Sequence, residues 1–402
     1  MHHTSHFAIL PALLLALLGS VPAYALEPGA DASAESLLGP NITGRKWAVA
    51  PAVRNDGIIW IFTVKSSYGD FQVNGLHRMQ DRLQELRALE VLEKMSRSKA
   101  FADATVRAGL APIRFGRDLI VSPFETVGNF FSGVGKTLDT VAAGATHPGA
   151  GRDPFFDSVT GITKVERELA LKLGVDPYSD FKPLRSGLED VAQVTTAGAL
   201  PVTAGIAMIS GGAGLAVSGA STASQISGVV YSHTSRELFE IIAVTLKGLN
   251  VDASTTKKFV DNVFYSPADE YAIAEALKAV GAANANLFIE NAAKAVSFDV
   301  AKFTRYRAEL LARENVQLGT LRSYVVVAGF VLNRDASGRL VAAFPFDTVS
   351  WTESVAGNLA KMSTQMATQQ ETTMPLFASL GPISPEAQSE LKKLGWEARK
   401  LN

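Results

Sequence analysis

There is no cysteine among the 402 residues of this chain, and that one absence excludes a disulfide framework, a thiolate metal site and a cysteine-linked lipid anchor together. Charge in surplus is missing as well. The formal net charge is −1 and no basic block stands anywhere along the chain, so the electrostatic footprint of a nucleic-acid-binding protein is lacking. The commonest signatures of hydrolytic chemistry are also absent, with no HExxH pair to hold zinc and no GxSxG elbow to present a serine nucleophile. What the chain has instead is apolar material. With 47% hydrophobic residues and a mean hydropathy of +0.14, it stabilises itself by burying a core and is globular rather than disordered.

Residues 1–25 read as a cleavable export signal. The apolar run from Phe7 to Leu18 is shorter than the roughly twenty residues a membrane span requires, and it leads into Val21-Pro22-Ala23-Tyr24-Ala25, a small-x-small cleavage pattern. Cleavage after Ala25 is expected, giving a mature chain that begins at Leu26 in the periplasm or outside the cell. The segment before the apolar run carries His2, His3 and His6 in place of Lys or Arg, and an uncleaved anchor is the competing reading. Residues 26–44 are rich in Ala, Gly, Ser and Pro without periodicity and read as a flexible lead-in. A mainly helical body is expected over 45–370, followed by a C-terminal tail with a short helix over 371–402.

Within the body, Trp47 to Val53, Ile58 to Lys65 and Asp70 to Asn74 are short runs of aromatic and β-branched residues separated by turn-forming clusters, which predicts a β-meander. A second strand pair, Leu321 to Leu332 and Arg339 to Phe346, flanks the turn Asn333 to Gly338. Because an isolated hairpin is marginal, both pairs are expected to share one antiparallel sheet. The intervening chain is helical. Leu76, Met79, Leu83, Leu86 and Leu89 recur at helical spacing, with Glu90→Lys94 and Glu93→Arg97 as exposed i,i+4 pairs. Later helices are announced by caps at Thr234 with Glu237, Ser266 with Pro267, and Ser384 with Pro385. A long helix near Thr348 to Thr368 sets Trp351, Val355, Leu359, Met362 and Met366 on one stripe, the pattern of a core face.

Several motifs invite a functional reading. Gly133-Val134-Gly135-Lys136-Thr137 resembles the end of a phosphate-binding loop, but the pattern needs a glycine where Phe130 stands, and Ser122, Pro123 and Glu125 begin a helical stripe through this segment. No nucleotide is therefore expected. Val191 to Ser235 contains no Asp, Glu, Lys or Arg. On an insertion scale the window Ala199 to Val217 gains roughly −2 to −4 kcal/mol from its Leu, Ile and Val, which four glycines, Pro201, Thr203 and Ser210 largely cancel. A buried Gly/Ala-rich hairpin ranks ahead of a membrane-inserting one. Asp153, Asp157, Asp176 and Asp180 surround two Asp-Pro dipeptides and read as turn formers, without EF-hand spacing for Ca²⁺. Ser96-x-x-Lys99, Ser254-x-x-Lys257 and Ser389-x-x-Lys392 match an SxxK core with no KTG to accompany it. His147 and His233, beside Thr146 and Ser232, are the general bases a mutation would test.

These features predict an α+β fold, predominantly helical: a helical bundle, a small antiparallel sheet from N- and C-terminal strand pairs, and the Gly/Ala-rich segment 191–235 as a hairpin near the middle. The expected role is an exported, non-catalytic interaction protein that binds a protein partner or an envelope component through its helical faces. No catalytic, cofactor-binding or metal-ligating residue is assigned, and neither cofactor nor nucleic acid is implied. Two rivals come from other classes. One is a cell-envelope hydrolase whose residues converge only in three dimensions, and the other is a membrane-inserting protein that uses segment 197–230.

Overall fold

In the computed structural model, residues 26–111, 162–198, 228–368 and 373–402 are described. Both the apolar stripe after Ser122 and the segment Gly133 to Thr137 lie outside the described residues, as does the centre of the charge-free stretch. The chain is α+β, and its strands form two separate sheets rather than one shared sheet. Each sheet has its own core.

The first sheet is built from β1 (Asp31–Ser33), β2 (Trp47–Val49), β3 (Ala52–Asn55), β4 (Trp60–Ser66) and β5 (Phe71–Asn74). The expected strand over Trp47 to Val53 is broken at Pro51, which has no N–H to give a ladder. Its two halves, β2 and β3, both pair antiparallel with β4, while β5 pairs with β4 and β1 pairs with β3. Residues 26–44, expected as a loose lead-in, therefore carry an ordered strand and the short helix α1 (Ala34–Leu38), capped by Ser33. Against this sheet lies α2 (Leu76–Ser96), which stops at Arg97 and re-forms as α3 (Lys99–Arg107) under a Ser98 cap. Two further helices, α4 (Lys164–Leu173) and α5 (Lys182–Ala197), complete the lobe, with Phe62, Leu86, Leu89, Leu169, Leu184 and Leu188 in its core.

The second lobe begins with α6 (Gly228–Ser232) and α7 (Ser235–Gly248), followed by α8 (Ala253–Val260), α9 (Pro267–Val280), α10 (Ala285–Ala292) and α11 (Phe298–Arg313). The caps read from sequence are present: Thr234 with Glu237 and Ser266 with Asp269 form reciprocal capping boxes, and Ser384 caps α13 (Pro385–Lys393). The predicted strand Leu321 to Leu332 contains a hairpin. It folds back at Ala328 and Gly329, whose φ values of 50° and 83° suit a tight two-residue turn, and so gives β6 (Leu321–Val327) and β7 (Phe330–Asp335). Next come β8 (Leu340–Phe344), α12 (Glu353–Thr368), β9 (Leu376–Ser379), α13 and β10 (Glu397–Lys400). The sheet runs β10-β9-β8-β7-β6, antiparallel from β6 to β8 and parallel from β8 to β10, where helices provide the crossovers. Residues 371–402, expected as a tail, thus supply two of the five strands of this sheet.

All of β8 and β9 is buried, which is the burial of a strand covered on both faces. Only two residue pairs join β7 to β8, Asn333 with Val341 and Arg334 with Leu340. Beyond them Arg307 of α11 takes over from the ladder. Its Nε donates to the Ala343 carbonyl at 3.1 Å and its Nη2 to the Val331 carbonyl, while the guanidinium lies 4.5 Å from the centre of the Phe344 ring. Burial pushes its pKa down to about 10.

Candidate functional site

The two lobes interlock. Ile58 and Ile59, from the loop between β3 and β4, are buried in the core of the second lobe, and the Asp347 N–H donates to the Ile58 carbonyl at 2.9 Å. Near the first of the described residues, the Glu27 carboxylate accepts from the Trp351 N–H at 2.6 Å and the Ser384 hydroxyl at 2.5 Å, so the chain straps the second lobe before it enters β1 of the first. Between these attachments runs a buried polar seam.

Helix α2 supplies one side of the seam, with Arg78 and Arg82 both paired to Asp180 and Arg82 also 2.7 Å from Glu85. Burial disfavours the Asp180 charge, but Arg78 and Arg82 outweigh it and hold the carboxyl well below the usual range. The Arg82 guanidinium also lies 4.4 Å from the centre of the Phe181 ring, a contact that suits a weakly hydrated cation. Helix α11 supplies the other side. Lys302 pairs with Asp269 at 2.6 Å and lies 3.8 Å from Asp176, and Arg305 pairs with Asp269 at 2.9 Å and Glu309 at 3.0 Å. Despite its burial, Asp269 is brought down to about 2 by Lys302 and Arg305. Links across the seam include Ser266 to Asp176 at 2.9 Å, Asn74 to Asp299 at 2.8 Å and Tyr306 to Asp81 at 2.5 Å.

The carboxylates in this cluster outnumber the cations, and burial raises the pKa of those less completely paired: Glu85, Asp176 and Asp299. Where the seam reaches the end of β8 there is a cavity lined by His77, Arg78, Asp299, Lys302, Tyr306 and Asp347. Its free volume is about 10 Å³, room for about one water molecule. Burial lowers the pKa of His77, whose ring lies 5.5 Å from that of Tyr306.

A larger space opens on the outer side of the second lobe, a groove of about 360 Å³ between α9 and α11. Ala268, Ala272 and Ala276 line it at four-residue spacing on α9, and Tyr271, Val230 and Ala312 enclose it. At its rim, Glu275 accepts from Lys278 at 3.1 Å and Glu309 from Arg305, while Arg313 pairs with Glu314 at 2.8 Å.

Of the residues singled out in the sequence, Asp176 forms the expected turn by accepting from the Tyr178 N–H at 2.8 Å, and it joins the seam as well. Asp180 lies in the same seam, whereas Asp153, Asp157 and His147 fall outside the described residues. His233 is turned to its own helix, its Nδ1 3.0 Å from both the Val229 carbonyl oxygen and Ser232 Oγ. Ser254 donates to Asp252 while Lys257 pairs with Asp261, so that SxxK match brings no serine to its lysine. Glu93, expected on an exposed face, is buried, accepting from Tyr68 at 2.5 Å and Lys46 at 2.6 Å as well as Arg97. Sequence reasoning missed the seam. The available signal was the density of charge on the buried side of α2 and α11, where Arg78, Arg82 and Glu85 stand at three- to four-residue steps, as do Asp299, Lys302, Arg305 and Glu309.

Among the described residues no helix is long and apolar enough to cross a membrane, and no cluster of His, Asp or Glu is placed to hold a metal ion. No protein-family model matches the chain, and neither does any curated protein or solved structure.

Proposed function

We propose that this is an exported interaction protein without catalytic activity, which seats a segment of a partner protein in the groove between α9 and α11. The observation that carries the reading is the groove itself. Its alanine stripe lets another backbone approach closely, and Val230, Tyr271 and Ala312 give a partner segment with a small apolar face something to pack against. Helices α7 to α11 then act as a bundle that presents this face. The buried seam supports the same reading from the other side, because its cations are engaged with carboxylates and its cavity has room for about one water.

A labelled peptide with alanines at four-residue spacing tests the groove directly. It should bind the mature chain, and Ala272→Trp, which fills the groove, should weaken binding about tenfold or more. The same substitution should leave unfolding within about 1 kcal/mol, since Ala272 is only half-buried. Binding that Ala272→Trp does not change refutes the site.

The membrane-inserting alternative draws on a different observation. The Arg107 guanidinium donates to the Gly198 carbonyl at 3.2 Å, and Arg167 donates to the carbonyls of both Ile162 and Tyr231. The described residues just before 112–161 and just before 199–227 are therefore neighbours, and so are those just after each. Flotation of the mature chain with liposomes, surviving a carbonate wash, would favour that alternative over the soluble role.

A further inference from the structure

Asn74 and Gly75 form the one Asn-Gly dipeptide of the chain. Such a pair is chemically labile, because glycine has no side chain to shield its backbone nitrogen from the neighbouring side-chain amide. The fold sets it where the lobes meet, at the junction of β5 and α2. Gly75 is required there by its φ of 105°, a conformation that other residues rarely adopt. Three contacts hold the pair. Asn74 Nδ2 donates to Asp299 of α11 in the second lobe at 2.8 Å, the Gly75 N–H donates to the Trp60 carbonyl at 2.8 Å, and the following N–H, of Leu76, donates to the Asp347 carboxylate at 2.9 Å. Gly75 is buried and Asn74 is half-buried. Asn74 also ends β5, paired with Ile61, so its side chain stands off the sheet.

We propose that Asn74 is a deamidation site guarded by the closed seam, so that a molecule whose lobes part is marked covalently and does not close again. In the reaction the Gly75 nitrogen attacks Cγ of Asn74 and a new N–Cγ bond forms. The side-chain nitrogen takes the Gly75 proton and leaves as ammonia. Water then opens the five-membered ring at either carbonyl, giving aspartate or, with the chain rerouted through Cγ, isoaspartate. In the closed seam the Gly75 nitrogen reaches Cγ only by breaking its bond to Trp60, and the Asn74 amide turns toward it only by leaving Asp299.

Both products put a carboxylate where Asn74 donated, facing the carboxylate of Asp299. Arg78, 3.7 Å from Asp299, is already paired with Asp180. The new charge is therefore poorly compensated when the lobes come together. Isoaspartate also lengthens the backbone by one methylene just before Gly75 and Leu76, which carries their amides away from Trp60 and Asp347. Release of ammonia makes the change irreversible.

Peptide mapping by mass spectrometry tests the guard, with the mature protein incubated either folded or unfolded in guanidinium chloride at mildly alkaline pH. Deamidation at Asn74 should be at least about tenfold slower in the folded protein, because it proceeds only through the opened fraction. Asp299→Ala frees the side-chain amide and should speed deamidation of the folded protein about tenfold, whereas Asp299→Asn keeps an acceptor oxygen and should restore most of the protection. A carboxylate that acted as a base for the reaction would give the opposite order. Asp180→Asn, which loosens the seam without touching Asn74, should speed it as well. Asn74→Asp reproduces one product and should lower the urea midpoint by about 0.5 M. A folded wild type that deamidates within about tenfold of the unfolded chain, an Asp299→Ala rate no faster than wild type, or an unchanged midpoint for Asn74→Asp overturns the proposal. Should Asp299→Ala not fold, Asp180→Asn decides: a rate equal to wild type overturns the proposal and a faster one supports it.

Discussion

Replacing Asp180 by asparagine removes one negative charge from the seam and almost no volume, so its effect isolates the ion pairs from the packing. The side chain of Arg78 is 5% exposed and that of Arg82 is 7% exposed, and both depend on Asp180. Losing one partner of a buried pair costs on the order of 3–5 kcal/mol, because the remaining charge is left without compensation. Here the lower end is expected, about 3 kcal/mol. Arg78 keeps Asp299 at 3.7 Å and Arg82 keeps Glu85 at 2.7 Å, so neither cation is stranded. Urea unfolding followed by circular dichroism measures the difference, with Asp261→Asn as a control. That carboxylate belongs to an exposed pair with Lys257, side chains 75% and 47% exposed, and its loss should change stability by less than about 0.5 kcal/mol. The pH dependence gives a second check. Asp180 is held well below its ordinary value, so its contribution is full above the unfolded value of 3.8 and declines as pH falls below that. The advantage of wild type over Asp180→Asn should therefore be constant from pH 7 to pH 5 and smaller at pH 3. A loss under about 1 kcal/mol at pH 7, or a difference that does not shrink in acid, would show that the seam is not held by these charges.

Arg307→Met should destabilise the second lobe by about 2–5 kcal/mol in the same assay, because it leaves the buried Ala343 and Val331 carbonyls unpaired where β7 and β8 part; Arg307→Lys, which has no fork to reach both, should recover only part of that, and a neutral Arg307→Met would refute the bridging role. Gly381→Ala places a Cβ 1.9 Å from the Asp347 backbone carbonyl oxygen, a clash no side-chain rotation relieves, so loss of the soluble folded protein or several kcal/mol of stability is expected. An unchanged urea midpoint for Gly381→Ala would mean that the chain beyond β8 and the chain beyond β9 do not run in close contact.

Local chemistry was legible wherever a few neighbouring residues decide the outcome. Caps are the clearest case: Thr234, Ser266 and Ser384 start their helices because a side-chain oxygen and the amides it accepts from lie within one turn of each other. The stripe Val355, Leu359, Met362 and Met366 is buried as its spacing implies, whereas Trp351, expected on the same stripe, is buried but stands before the helix, which starts at Glu353. Turn chemistry was partly legible. The reading of Leu321 to Leu332 as one strand missed the Ala328-Gly329 reversal, because alanine carries no turn signal and only the hairpin's packing holds it at positive φ.

What the sequence determined by itself is the compositional frame, namely no cysteine chemistry, no charge surplus and enough apolar material for a core, together with the elements whose signals are local. The tertiary structure decided which elements meet. Strand partnership depends on residues far apart in the chain, and nothing local in Leu376 to Ser379 says that it pairs with Val341 to Phe344, or that Glu397 to Lys400 pairs next to it. The seam shows the same limit. Nothing local in the segments that carry Arg78, Asp180, Asp269, Asp299 and Lys302 says that they pair, and only the closing of two lobes brings them against one another. Asp347 depends on that closing most of all, because both amides that hold its carboxylate come from the other end of the chain.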